Sequence, residues 1–201
     1  MESAARTNYI FVDYENVQNL NLDLIAGKPV MVLFIVGPRQ KSLPAVLSKQ
    51  IHKYHDQVEW IESEGASRNA LDLVLAYRVG VQAKADPGGY FHILSKDKDY
   101  DALIKHLRAQ NLRACRDEVF SEISALVELS KMSISERVAW VIERIEKNQA
   151  SRPKNKKILL TTIHAICRKE LSAEEVEKIL NRLVALKKVE FNAQGLAIYR
   201  I

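Results

Sequence analysis

Cysteine is scarce. Cys115 and Cys167 are the two in 201 residues, too few and too distant in sequence for a disulfide framework or a cysteine zinc site, and they read as reduced structural thiols. Long apolar runs are missing as well. Nothing approaches the roughly 18 consecutive apolar residues of a membrane span, so no membrane partner is expected. Residues 1–8 carry no apolar core of the signal-peptide kind, which predicts a cytoplasmic protein. There is no glycine-rich phosphate loop of the Walker or dinucleotide type and no Gly-x-Ser-x-Gly elbow. His52, His55, His92, His106 and His164 form no H-E-x-x-H spacing. His52 and His55 read as helix-surface residues and His92 as packed within a strand. Internal repeats and low-complexity tracts are also absent.

What remains is an ordinary globular composition, 47% hydrophobic and 27% charged, long enough for one sizeable domain and a small second one. The net charge of +5 is unevenly spread. Residues 1–130 carry 15 Lys and Arg against 17 Asp and Glu; residues 131–201 carry 15 against 8. An acidic-to-neutral body with a basic tail points to a polyanion handled by both, nucleic acid first. The alternative is a solvated basic surface without a partner.

Residues 9–12, 29–36, 58–61, 90–94 and 112–116 read as strands, the second a nearly continuous apolar run of the kind buried on both faces. Between them the spacing predicts helices over 43–54, with Ser42 as a cap and Pro44 in the first turn, 70–82 and 99–110, and a further helix over about 118–129. Strands alternating with helices imply a parallel sheet covered on both faces. In such sheets ligands bind beyond the strand C-termini. Asp13 ends the first strand, Asp97 and Asp99 follow the fourth, and Asp72 opens the helix after the third. Four carboxylates from three distant segments are therefore expected at one rim, where a hard divalent cation would relieve their repulsion. Read alone, Asp97 to Asp101 is equally an acidic helix start, favoured by capping and the helix dipole. An EF-hand reading fails, because its sixth position is Ala102 and its twelfth Arg108.

Clustered Asp residues holding one or two Mg²⁺ or Mn²⁺ ions suit phosphodiester cleavage, which needs an activated water and neutralised phosphoryl charge. Basic residues should line the approach. Arg68, Lys96, Lys98, Arg39 and Lys41 are placed for that, each also readable as a solvated surface charge.

Three segments carry a resemblance. Phe11-Val12-Asp13-Tyr14-Glu15-Asn16, Asn69-Ala70-Leu71-Asp72 and Ser95-Lys96-Asp97-Lys98-Asp99-Tyr100 resemble the acidic motifs of the PIN-like nucleases, most closely the NYN type, over about residues 8–130. The resemblance implies a Rossmann-like three-layer α/β/α sandwich and a metal-dependent endonuclease acting on RNA, with DNA as the alternative. It implies Asp13, Asp72, Asp97 and Asp99 as catalytic ligands of Mg²⁺ or Mn²⁺, or as orienters of metal-bound water. Asn16 and Ser95 would steady the site by hydrogen bonds, while Asp101 lies beyond the motif. One position departs: Lys96 stands where the family has Gly. It could bind phosphate, or it could replace a metal charge and mark lost activity.

Residues 131–201 read as helices over 135–147, 156–169 and 173–187, the last opened by a capping box at Ser172 and Glu175, then a hairpin around Asn192 to Gly195. This order is similar to small winged-helix modules. Glu174, Glu175 and Glu177 in the first turn of the third helix do not suit phosphate, so the expected nucleic-acid contacts are Arg152, Lys154, Lys156, Lys157, Lys187 and Lys188. The sequence thus predicts a nuclease domain over 1–130 and a winged-helix-like nucleic-acid-binding domain over 131–201. The rival readings are a catalytically inactive nucleic-acid binder and a protein-interaction adaptor or homodimer.

Overall fold

The structure is a computed structural model that describes residues 6–40, 42–64, 67, 69–167 and 169–201. The chain divides into two compact units, Met1–Val127 and Glu128–Ile201.

The first unit is built on a five-stranded parallel sheet: β1 (Asn8–Asp13), β2 (Val30–Val36), β3 (Val58–Glu62), β4 (Tyr90–Leu94) and β5 (Arg113–Asp117), in the order β3-β2-β1-β4-β5. Composition decides the order. The three central strands are almost wholly apolar and buried, as a strand covered on both faces must be. The edge strands carry the charges, Glu59 and Glu62 on β3 and Arg113, Arg116 and Asp117 on β5, which also discourage edge-to-edge pairing.

The helices α1 (Ala45–Lys53), α2 (Ala70–Ala85) and α3 (Tyr100–Ala109) complete three layers. Alternate side chains of each strand sort to opposite faces. Phe11, Ile35, Phe91 and Ile93 pack with Leu71, Leu75 and Val79 of α2 and with Ile104 and Leu107 of α3. Ile10, Val12, Phe34 and Leu94 pack with Leu47 and Ile51 of α1 and with Phe120, Ile123 and Leu126. The parallel sheet and covering helices expected from the sequence are present.

Two local expectations fail. The helix expected over 118–129 is replaced by 3-10 turns at Phe120–Glu122 and Leu129–Lys131. Phe120, Ile123 and Leu126 recur every three residues and all are buried in the core on that face of the sheet, a spacing that suits three-residue turns. At α1, Pro44 rather than Ser42 occupies the cap, with no side-chain capping bond.

The second unit contains α4 (Ile134–Lys147), α5 (Lys156–Ile166), α6 (Ala173–Ala185) and a hairpin of β6 (Val189–Phe191) and β7 (Ala197–Tyr199). A bridge between Asn155 and Leu196 ties the segment before α5 to the hairpin. Ser133–Glu136 and Ser172–Glu175 form reciprocal capping boxes on α4 and α6, satisfying otherwise orphaned amides. Val138, Val141, Leu159, Ile163, Ile179 and Leu183 form its buried centre. Among the described residues no helix is long and apolar enough to cross a membrane.

Candidate functional site

The strand order reverses direction between β1 and β4, both of which grow outward from the middle of the sheet. At such a switch point the flanking loops diverge and leave a crevice at the strand C-termini. Asp13 closes β1 there, and Ser95 follows the last residue of β4, the register pairing Val12 with Leu94.

Parity along the strands fixes where these side chains go. Phe11 and Asp13, like Ile93 and Ser95, fall on the face covered by α2 and α3. The next residue, Tyr14, falls on the other face and is buried edge-on against Phe34 and Trp60, which anchors the turn. Asp13 is 1% exposed. Its Oδ2 accepts hydrogen bonds from Asn16 Nδ2 at 2.6 Å and Ser95 Oγ at 2.9 Å, and its Oδ1 accepts the Asn16 amide at 3.3 Å. Burial pushes the Asp13 carboxyl up; the Asn16 and Ser95 donors pull against that, and the nearby charge of Asp72 adds to the rise.

Ser95 is the joint of the site. Its Oγ also accepts the Asp97 amide at 3.1 Å, its own amide donates to the Asp117 carbonyl at 3.0 Å, and its carbonyl accepts Arg116 Nη1 at 3.0 Å. Asp97 Oδ1 in turn accepts the Asp99 amide at 2.9 Å, so the acidic turn is shaped by its own carboxylate. Asp99 sits exposed at the N-cap of α3 without a side-chain capping bond. Asp72, in the first turn of α2, accepts the Tyr100 hydroxyl at 2.6 Å. The Tyr100 phenol is pushed well above its ordinary value by burial, by its bond to Asp72 and by the charges of Asp13, Asp72 and Asp97. That phenol therefore lies within the electrostatic reach of three carboxylates from β1, α2 and the turn after β4. Asp101 points elsewhere and pairs with Arg116 at 2.8 Å.

Among the described residues, these acids do not close into a group of three with ligand atoms within 4.8 Å of one another; only His92, Cys115 and Asp117 do that. The donor set at the rim is all oxygen and includes a buried carboxylate whose anionic form is disfavoured. Both features fit a hard divalent cation. Mg²⁺ takes one or two carboxylates and keeps waters, so it does not require a closed protein cage.

The basic residues are more dispersed. Lys96 and Lys98 are exposed, and their charges help hold the Glu118 carboxyl below its usual range, behind the larger effect of Arg116. Arg39 is exposed, and Arg68 and Lys41 lie outside the described residues. In the second unit Lys154, Lys157 and Lys187 are exposed and Lys188 is half-buried. Lys156 stands 3.7 Å from Glu177. Arg152 lies over the Tyr199 ring at 5.4 Å and donates to the Ile201 carbonyl at 3.4 Å, a packed position at the base of the hairpin.

Sequence reasoning gave no role to two positioning residues. Tyr100 closes the third motif, an aromatic directly after the paired acids at a helix start. Arg116 carries no signal, since its partners come from the register of β5 against β4.

A doubly wound α/β unit with an oxygen-rich acidic crevice at its switch point defines the class. A family model described as a PIN domain matches residues 7–117, more than half of the chain, and the chain belongs to the PIN domain family. PIN domains are generally nucleases and typically use divalent metals. No curated protein and no solved structure matches the chain.

Proposed function

We propose that this protein is a metal-dependent endoribonuclease of the NYN type, with a C-terminal winged-helix module that grips the substrate. The observation that carries the proposal is the Tyr100–Asp72 hydrogen bond at the switch-point rim, where the charges of Asp13 and Asp97, from two other segments, also act on the Tyr100 phenol. In this reading Asp13, Asp72, Asp97 and Asp99 hold Mg²⁺ or Mn²⁺. When bound, the cation supplies neutralisation of phosphoryl charge and acidification of a water.

The chain's own residues do the positioning. Asn16 and Ser95 donate to the Asp13 carboxylate and offset part of the cost of its burial. Tyr100 fixes one oxygen of Asp72. The Ser95–Asp97–Asp99 turn sets the third wall. Lys96 and Lys98, exposed beside that turn, are suited to phosphates flanking the scissile bond. An inactive fold would need Lys96 to stand in for the cation. Its exposure and its action on Glu118 favour the phosphate role.

For the second unit, the helix–helix–helix–hairpin order and the Asn155–Leu196 bridge support the winged-helix reading. Of the expected contacts, Lys154, Lys157 and Lys187 are exposed and Lys188 is half-buried, while Arg152 belongs to the packing of the hairpin. The preference for RNA rests on the NYN resemblance. Purified full-length chain, given matched RNA and DNA oligonucleotides with Mn²⁺, should cut the RNA internally and spare the DNA. Cleavage of DNA alone overturns the substrate assignment, and cleavage undiminished by a chelator overturns the metal requirement.

A further inference from the structure

On the face of the sheet opposite Asp13, a second cluster joins β4 to β5. Phe91, Ile93 and Ala114 point to the α2–α3 layer, so His92 and Cys115, their neighbours in the strands and each other's partners in register, point the other way. His92 Nδ1 lies 2.9 Å from Asp117 Oδ2 and 3.2 Å from Cys115 Sγ, and Sγ lies 3.2 Å from Oδ2. His92 is 1% exposed, while the Asp117 side chain, at 23%, opens the cluster to solvent.

The Tyr90 hydroxyl also shares a hydrogen bond with the Cys115 sulfur. Asn8 donates its amide nitrogen to the Arg6 carbonyl at 3.3 Å, which turns its Oδ1 toward His92 Nε2 at 3.2 Å. Nε2 therefore carries the ring proton, and a neutral His92 presents the Nδ1 lone pair to the thiol and the carboxylate. A Cys–His–Asn relay for nucleophilic catalysis has similar contacts. It does not suit this thiol, which burial and the Asp117 charge push up, away from the reactive thiolate.

We propose that His92, Cys115 and Asp117 form a binding site for a borderline-soft divalent ion, zinc by donor chemistry, on the opposite face of the sheet from the acidic rim. One nitrogen, one sulfur and one oxygen donor suit Zn²⁺ with an open fourth position, whereas the all-oxygen rim suits Mg²⁺ or Mn²⁺. Charge balances. Coordination releases the Cys115 proton to solvent, and a dication with one thiolate and one carboxylate is neutral. Asn8 supplies the partner that a metal-bound imidazole needs on its other nitrogen. Tetrahedral zinc places such donors about 3.4–3.6 Å apart, given metal–ligand lengths of about 2.0–2.3 Å, so the triangle has to open by only a few tenths of an ångström. The Asp117 carbonyl accepts the Ser95 amide at 3.0 Å, so the ion would clamp β5 beside the residue that holds Asp13.

The test uses full-length, chelator-stripped protein and Co²⁺ as the spectroscopic probe. One equivalent should give tetrahedral ligand-field bands and a thiolate-to-cobalt charge-transfer band, bleached by Zn²⁺. The band should persist in Asp13→Asn, Asp97→Asn and Cys167→Ala, and vanish in Cys115→Ser. Asn8→Ala should weaken cobalt binding by about 10–100-fold. Asp117→Asn, close in shape to the native residue, should weaken it by at least about 10-fold, and it keeps the test informative if Cys115→Ser does not fold. Folded wild-type protein without the charge-transfer band would mean a His92 imidazolium paired with Asp117 and no metal site. A band surviving Cys115→Ser, or an unchanged affinity in Asp117→Asn, overturns the proposal equally.

Discussion

Replacing Ser95 with Ala tests whether the acidic crevice is held together as described. The serine is fully buried. Its hydroxyl donates to Asp13 Oδ2 at 2.9 Å and accepts the Asp97 amide at 3.1 Å. A buried hydrogen bond to an ionised group contributes about 1.5–3 kcal/mol and a neutral one about 1 kcal/mol. Asp13 is 1% exposed, so water offers little replacement, and Ser95→Ala should cost about 2.5–4 kcal/mol near pH 7. The pH dependence follows from Asp13. Its carboxyl is raised in the fold, so burying the anion opposes folding at neutral pH, and that opposition fades as pH falls through the raised folded value. The Asp13 part of the serine's contribution should fade over the same window, because a neutral carboxyl no longer depends on that donor. The Asp97 part should remain. Urea unfolding can be followed through Trp60, which packs on Phe34 in the first unit, with Trp140 of the second unit replaced by Phe. A loss under about 0.5 kcal/mol near pH 7, or a loss that stays constant on acidification, refutes the reasoning.

Other outcomes follow from the same contacts. Tyr100→Phe removes the donor on Asp72 Oδ1; Asp72 is partly exposed, so the loss should be about 1 kcal/mol, read in the Trp60 transition. The phenol's raised value means that its stabilising form is complete below the ordinary tyrosine value and is lost only as pH rises beyond it. An alkaline tyrosine titration should accordingly show one fewer resistant group in Tyr100→Phe. Ser172→Ala opens the capping box on α6 and should cost about 1 kcal/mol in the second unit, with the Trp60 transition unmoved. If Lys154, Lys157, Lys187 and Lys188 contact single-stranded RNA phosphates, replacing all four with Ala should flatten the slope of log affinity against log salt by roughly 2.8. An unchanged slope excludes them as the contact set.

The strands and the rim were legible because each signal is local. The apolar runs of β2 and β4 announce burial on both faces, and the carboxylates fall at strand ends, where parallel topology brings them together. Capping and metal readings of the acidic turn compete in the sequence, and in the fold the N-cap residue Asp99 makes no side-chain capping bond. Asp97 accepts the Asp99 amide, and its charge still reaches Tyr100. Residues 118–129 misled because an apolar repeat of three is close to one of 3.6, and only contact with the sheet decides between a run of turns and a helix. The His92–Cys115–Asp117 cluster was hidden for another reason. His92 lies 23 and 25 residues from Cys115 and Asp117 across a strand register, and no spacing rule encodes register. Arg116 is invisible for the same cause, although it secures the Ser95 carbonyl.

The most direct test of the central claim is the rate of RNA cleavage by full-length wild-type protein and Asp97→Asn in Mn²⁺, on single-stranded and hairpin substrates, with RNA binding measured alongside. The wild type should cut, and Asp97→Asn should bind without cutting. Intact RNA with the wild-type protein, or cleavage that survives Asp97→Asn, contradicts the assignment of the rim as the catalytic centre.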